Sequence, residues 1–152
     1  MYRKNEIKIE FWSLSENESF ARNAVAAFLV KLDPTIEELF EIKTALSEAV
    51  TNSIVHGYIN TIGKVVIRAL IIDDCDVRIS VIDRGVGIDD IKKAREPLFT
   101  TSDRQERSGM GFTVMETFMD KVNVSSHPGK GTRVTMQKKL STKKMSTDGR
   151  EG

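Results

Sequence analysis

Cysteine is almost missing from this chain: Cys75 is the single one, which excludes an internal disulfide framework and fits a reducing compartment. Histidine is nearly as scarce. His56 and His127 are the only two, no Cys or His cluster has metal-ligand spacing, and both read as structural. An excess of charge of one sign is lacking too. Lys and Arg total 23 against 22 Asp and Glu, so the basic surplus of nucleic-acid binders is absent, and Lys143-Lys144 is too short to make a patch. No apolar stretch approaches the about 20 residues of a membrane span, and Met1 to Glu10 offers no apolar core for a secretory signal. The absences point to a cytosolic protein with no direct nucleic-acid or membrane partner.

What remains is an ordinary globular composition, 30% charged and 39% hydrophobic over 152 residues, enough for one domain that buries roughly two-thirds of its unfolded surface. Ile7, Ile9 and Phe11 alternate with Lys8 and Glu10, the pattern of a half-buried strand. Ser15 and Glu18 have capping-box spacing and open a helix carrying Phe20, Ala24, Ala27 and Phe28, which ends near Asp33-Pro34. Thr35 and Glu38 form a second such box. The helix that follows runs to about Gly57, with Leu39, Ile42, Leu46, Ala49 and Ser53 on one face. Val65–Ile72 and Asp76–Ile82 are β-branched runs around Asp73-Asp74-Cys75, a predicted hairpin. Gly85 to Arg107 reads as a long, mobile connection and Ser108 to Met119 as a helix with Phe112, Met115 and Met119 on its apolar side. Val122–Ser126 and Thr132–Met136 read as strands joined by the turn residues His127 to Gly131. The expected architecture is α/β: a two-layer sandwich, one mixed and mostly antiparallel sheet with helices on one face.

Three segments carry chemistry. In Glu48-Ala-Val-Thr-Asn52, the two polar residues stack one helical turn apart. They form either a solvated face or the roof of a pocket. In the pocket, Asn52 offers Mg²⁺ a neutral oxygen and Glu48 serves as general base. Asp83-Arg-Gly85-Val-Gly87 follows a strand; a carboxylate there accepts from an exocyclic amine such as that of adenine, and glycines let backbone approach a planar base. Arg107-Ser108-Gly109-Met110-Gly111-Phe112 opens a helix, where free amides and the helix dipole favour an anion and Arg107 adds a cationic fork for a terminal phosphate. Its spacing fits neither the P-loop nor the dinucleotide-binding fingerprint.

The order of these boxes resembles the ATP-binding fold shared by gyrase, the heat-shock chaperone, histidine kinases and mismatch-repair ATPases. Within it, Ser15 to Arg22, Glu41 to Asn52, Pro97 to Thr101 and Glu106 to Thr113 resemble the anti-sigma F factors of spore-forming bacteria, the likeness running from about Asn5 to Lys139. The resemblance implies a histidine-kinase-like ATPase fold, with residues 1–140 as an ATP-binding kinase domain and 141–152 as a disordered tail. It implies binding of ATP or ADP with Mg²⁺, phosphorylation of a serine on an anti-anti-sigma factor, inhibition of the sporulation sigma F factor, and a homodimer. By position it makes Glu48 the base, Asn52 the Mg²⁺ ligand and Asp83 the adenine carboxylate, with Gly85, Gly87 and Thr132 near the base. Arg107, Ser108, Gly109, Met110, Gly111 and Phe112 become the phosphate-binding lid and helix start, and Arg22 the contact for both protein partners. Three alternatives share the boxes: the anti-sigma kinase of the general stress sigma factor, an ATP-dependent clamp or adaptor that phosphorylates nothing, and a histidine kinase catalytic domain. The last needs an acceptor histidine on a dimerisation segment, and residues 1–40 contain none.

Overall fold

The computed structural model describes residues 4–96 and 111–141. Five strands form one sheet: β1 (Lys4–Trp12), β2 (Lys64–Ile72), β3 (Asp76–Asp83), β4 (Lys121–His127) and β5 (Gly131–Lys139). Their order is β1-β2-β3-β5-β4, and all four ladders are antiparallel. The helices are α1 (Glu16–Leu29), α2 (Ile36–Asn52), the single turn α3 (Ile91–Ala94) and α4 (Gly111–Phe118). None in the described residues is long and apolar enough to cross a membrane.

Register explains the two layers. Ile9 pairs with Ile67, Ile67 with Val81 and Val81 with Val134. Because side chains alternate across a strand, the apolar residues of every strand meet on one face. Ile67, Ile79, Val81 and Met136 are buried there against Val25, Leu29, Ile42, Leu46 and Met115 of the helices. Full burial of each such aliphatic side chain stabilises the fold by about 1.5–3 kcal/mol. The opposite face carries Glu6, Lys8, Glu10 and Arg68, with surface pairs Arg68–Glu6 and Lys64–Glu10. This is the expected sandwich with helices on one face.

Local sequence accounts for the element boundaries, with three departures. Asp73 and Asp74 both adopt left-handed φ, 54° and 68°, which matches the twist of the β2–β3 hairpin. Thr35 has extended backbone, so its hydroxyl accepts from the Glu38 amide while the Glu38 carboxylate accepts from that of Thr35. The box expected at Ser15 does not form. Its backbone is already helical (φ −55°, ψ −34°) and its side chain makes no cap bond; capping requires the extended conformation that Thr35 has. In the first turn of α1 the Asn17 side-chain amide instead donates to the Trp12 carbonyl at 3.0 Å.

The second departure is the inward face of α1. Ala21, Val25, Ala26 and Leu29 are buried, whereas Phe20 is 64% exposed. The third is inside the stretch read as a connection, where Asp90 caps α3 by accepting from the Lys93 amide. The chain after α2 continues as a π-helical turn, Ser53–Gly57, closed by the Tyr58 amide donating to the Ser53 carbonyl at 3.1 Å. At the far end, Leu140 is buried and the Ser141 amide donates to Glu38 at 2.7 Å.

Candidate nucleotide site

Asp83 is the last residue of β3 and sits on the apolar face, only 5% exposed. A carboxylate there needs partners. The Ser53 hydroxyl donates to Oδ2 at 2.7 Å and the Gly85 amide to Oδ1 at 2.9 Å. Burial pushes the carboxyl above its usual value, and the bonds from Gly85, Ser53 and the Thr132 backbone offset part of that rise. Three donors leave one of the carboxylate's roughly four lone-pair sites open, so Asp83 can still accept from an amine.

The loop after Asp83 is held on three sides. Against the π turn, the Val86 amide donates to the Gly57 carbonyl at 2.8 Å. A side chain at Gly85 would run into that same carbonyl, so only glycine fits. Beside it, the Tyr58 hydroxyl accepts from the Arg84 amide at 2.8 Å and donates to the Lys64 carbonyl at 2.7 Å. On the third side lies the β4–β5 turn. Gly87 has φ +80° and backs onto the His127 carbonyl, the Gly129 amide donates to Val86 at 2.6 Å, and the Ile88 amide donates to the Ser126 hydroxyl at 2.8 Å. Thr132 is the cross-strand partner of Asp83, its hydroxyl 2.8 Å from that of Ser126.

Glu48 and Asn52 lie in the last turns of α2, Asn52 directly before Ser53 and Glu48 one turn earlier, so the helix that leads into the Asp83 partner also presents this polar pair. Gly111 starts α4 against both. A Cβ built there would lie 3.2 Å from Asn52 Nδ2 and 3.3 Å from Glu48 Oε1. The first box therefore meets the second through Ser53 and the third through Gly111. Phe112, next along, is buried in the core and anchors the helix start. Arg107, Ser108, Gly109 and Met110 lie outside the described residues.

The donors at Glu48 and Asn52 are hard oxygens, which suit a divalent cation such as Mg²⁺. Among the described residues no group of three or more His, Cys, Asp or Glu could hold a metal ion. A cation here would take few protein ligands, Asn52 first, and complete its shell from phosphate and water.

Residues 11–138 match the family model described as a histidine kinase-like ATPase domain. An anti-sigma F factor of Caldanaerobacter subterraneus subsp. tengcongensis is 59% identical over 138 residues, 91% of this chain and 96% of that protein. One of Clostridium perfringens is 55% identical over 138 residues, 91% of this chain and 99% of that protein. The chain belongs to the anti-sigma F factor family. Solved structures agree on the fold of this family member. The RsbU and RsbW domains of a Mycobacterium tuberculosis protein superpose with a TM-score of 0.65 at 22% identity, covering 90% of this chain and 32% of that one. The histidine kinase domain of the blue-light activated kinase of Erythrobacter litoralis does so with 0.55 at 19% identity, covering 84% and 63%.

For an anti-sigma F factor with a kinase-like ATPase domain, a nucleotide site is expected, and the described residues of the three boxes lie beside one another. Ser53, Tyr58 and Ser126 were not legible as site residues. Ser53 alone had a signal: it is a hydroxyl on the otherwise apolar stripe of α2. Arg22 is elsewhere, on α1. With Ile36, Leu39, Phe40, Lys43 and Thr44 it lines a groove of about 460 Å³ toward the N-terminal end of α2.

Proposed function

We propose that the protein binds and inhibits the sporulation sigma F factor and, using ATP and Mg²⁺, phosphorylates a serine of the cognate anti-anti-sigma factor. The observation that carries this reading is the meeting of Gly111 with both Asn52 and Glu48, one residue along the helix from the serine that grips Asp83. A purine on Asp83 would send its phosphates toward the start of α4, where helix amides favour anions. The roles follow from chemistry. Asp83 accepts from the 6-amino group, with Gly85, Gly87 and Thr132 around the base. Asn52 holds the metal, and backbone from Ser108 through Phe112 receives the phosphates. Glu48 takes the proton from the incoming serine hydroxyl. Arg107 supplies positive charge to the terminal phosphate. Mg²⁺, when bound, neutralises charge on the phosphate oxygens. Positioning and charge neutralisation are most of what phosphoryl transfer asks of a protein, so a domain this small suffices.

The partner reading rests on the groove beside Arg22. Ile36 is 91% and Phe40 59% exposed there, and the lining includes two cations and no acid. Apolar side chains with flanking charge suit a protein surface. We read the active species as a cytoplasmic homodimer. The test is incubation with labelled ATP, Mg²⁺ and the candidate anti-anti-sigma factor. Phosphoserine on that protein is expected, whereas ATP bound with no label transferred would refute the kinase reading in favour of a clamp.

A further inference from the structure

The hydroxyl of Ser126 has three neighbours, and together they fix which way its hydrogen points. The Ile88 amide, 2.8 Å away, can only donate, so Ser126 Oγ accepts there. The Gly131 carbonyl, 2.9 Å away, can only accept, so Ser126 gives it its single hydrogen. Thr132 Oγ1 is 2.8 Å from the same oxygen. With the Ser126 hydrogen already committed, Thr132 must be the donor in that contact. Its own lone pairs are then all it has to offer anything else.

Thr132 is the register partner of Asp83 on the neighbouring strand, and the two residues share the inward face. We infer that Ser126 is a positioning residue for base specificity: by holding the Thr132 hydrogen it makes Thr132 an acceptor, so that Asp83 and Thr132 form a paired acceptor for a 6-aminopurine. An exocyclic amine has two hydrogens and can serve both. A 6-oxopurine presents a carbonyl oxygen to the same place, where lone pairs would face lone pairs. Ser126 touches no base; it acts through Thr132 and, through Ile88, on the loop that carries Gly85 and Gly87.

This inference rests on Asp83 receiving the base. The experiment measures ADP and inosine diphosphate affinities calorimetrically for the wild type, Ser126→Ala, Thr132→Val and the double variant. In Ser126→Ala the Thr132 hydroxyl is free to turn and donate to a 6-oxo group. The preference for ADP should therefore fall by about two- to ten-fold, the worth of one neutral hydrogen bond. In the Thr132→Val background, Ser126→Ala should change the preference no further. Equal weakening of both nucleotides in Ser126→Ala would overturn the inference, leaving Ser126 a buttress of the loop. An undiminished effect of Ser126→Ala on the Thr132→Val background would also overturn it. Absence of binding by either nucleotide to the wild type would overturn the nucleotide reading itself, and this inference with it. If Ser126→Ala does not fold, Thr132→Ser and Thr132→Val carry the test: serine should keep the preference and valine lose it, and equal loss in both would refute the assignment.

Discussion

Ser53→Ala removes one hydrogen bond whose consequences can be worked through in both stability and binding. The Ser53 hydroxyl donates to Asp83 Oδ2 at 2.7 Å, and the two residues are 4% and 5% exposed, so water cannot readily replace it. A hydrogen bond to a charged group contributes about 1.5–3 kcal/mol. For a domain of this size each kcal/mol moves Tm by about 2–4 °C, which gives an expected fall of about 3–12 °C at pH 7. The pH dependence has a definite sign. Burial already raises the Asp83 carboxyl above its ordinary value, so the folded state holds that proton more tightly than the unfolded chain. Stability from this group is therefore greatest below the ordinary carboxylate pKa and declines as pH rises toward the raised value. Losing the Ser53 donor raises the pKa further and extends that decline to higher pH. The Tm deficit of the variant should accordingly be larger at pH 7 than at pH 4. In ADP titrations the acid limb of the affinity profile should move to higher pH, because the base needs the ionised acceptor. Calorimetric melts and titrations across that range measure both effects. An unchanged Tm at neutral pH, or a deficit that grows on acidification, would refute the account of Asp83.

Glu48→Gln should leave ADP affinity intact and slow phosphate transfer by roughly 10²–10⁴-fold, the range for a lost general base; a rapid-quench assay giving wild-type rates would remove Glu48 from the chemistry. Arg22→Ala should weaken capture of the sigma factor and the anti-anti-sigma factor while ADP titrations stay unchanged, since Arg22 lines the groove and not the nucleotide site. At Glu38 burial raises the carboxyl, but bonds from Thr35 and Ser141 outweigh it and leave the pKa below the ordinary value. The stability it contributes is present above the ordinary carboxylate pKa and lost as pH falls through the lowered one. Glu38→Gln should therefore flatten that acid limb in urea melts, and an identical pH profile would refute the role.

Much of this was readable because periodicity and spacing report it directly. The stripe Ile42, Leu46, Ala49 marks the inner face of α2, and Glu48 and Asn52 stand off it by the geometry of a helix alone. The β2–β3 pair was readable from its β-branched runs. Less readable were features that depend on backbone conformation or on distant partners. Ser15 has the right neighbours for a cap and the wrong φ/ψ, which no spacing reveals. Phe20 is apolar yet exposed, because Ala21 and Val25 already fill the space over the sheet. Ser126 looked like any strand residue; its three hydrogen bonds come from residues that register, rather than sequence proximity, brings beside it. His127 to Gly131 reads from sequence only as a turn between strands, and nothing in its composition tells that its backbone braces the Asp83 loop.

The bracing of that loop has a consequence for assembly. Its supports come from the π turn that follows α2 and from the last hairpin of the sheet, segments that leave the ribosome more than sixty residues apart (Gly57 to Lys121). A nascent chain ending before Ser126 would possess Asp83 and every residue of the first two boxes, yet lack the wall behind Gly87. Purine binding should therefore switch on late in synthesis. Nucleotide retention by graded C-terminal truncations would report when the sheet has closed.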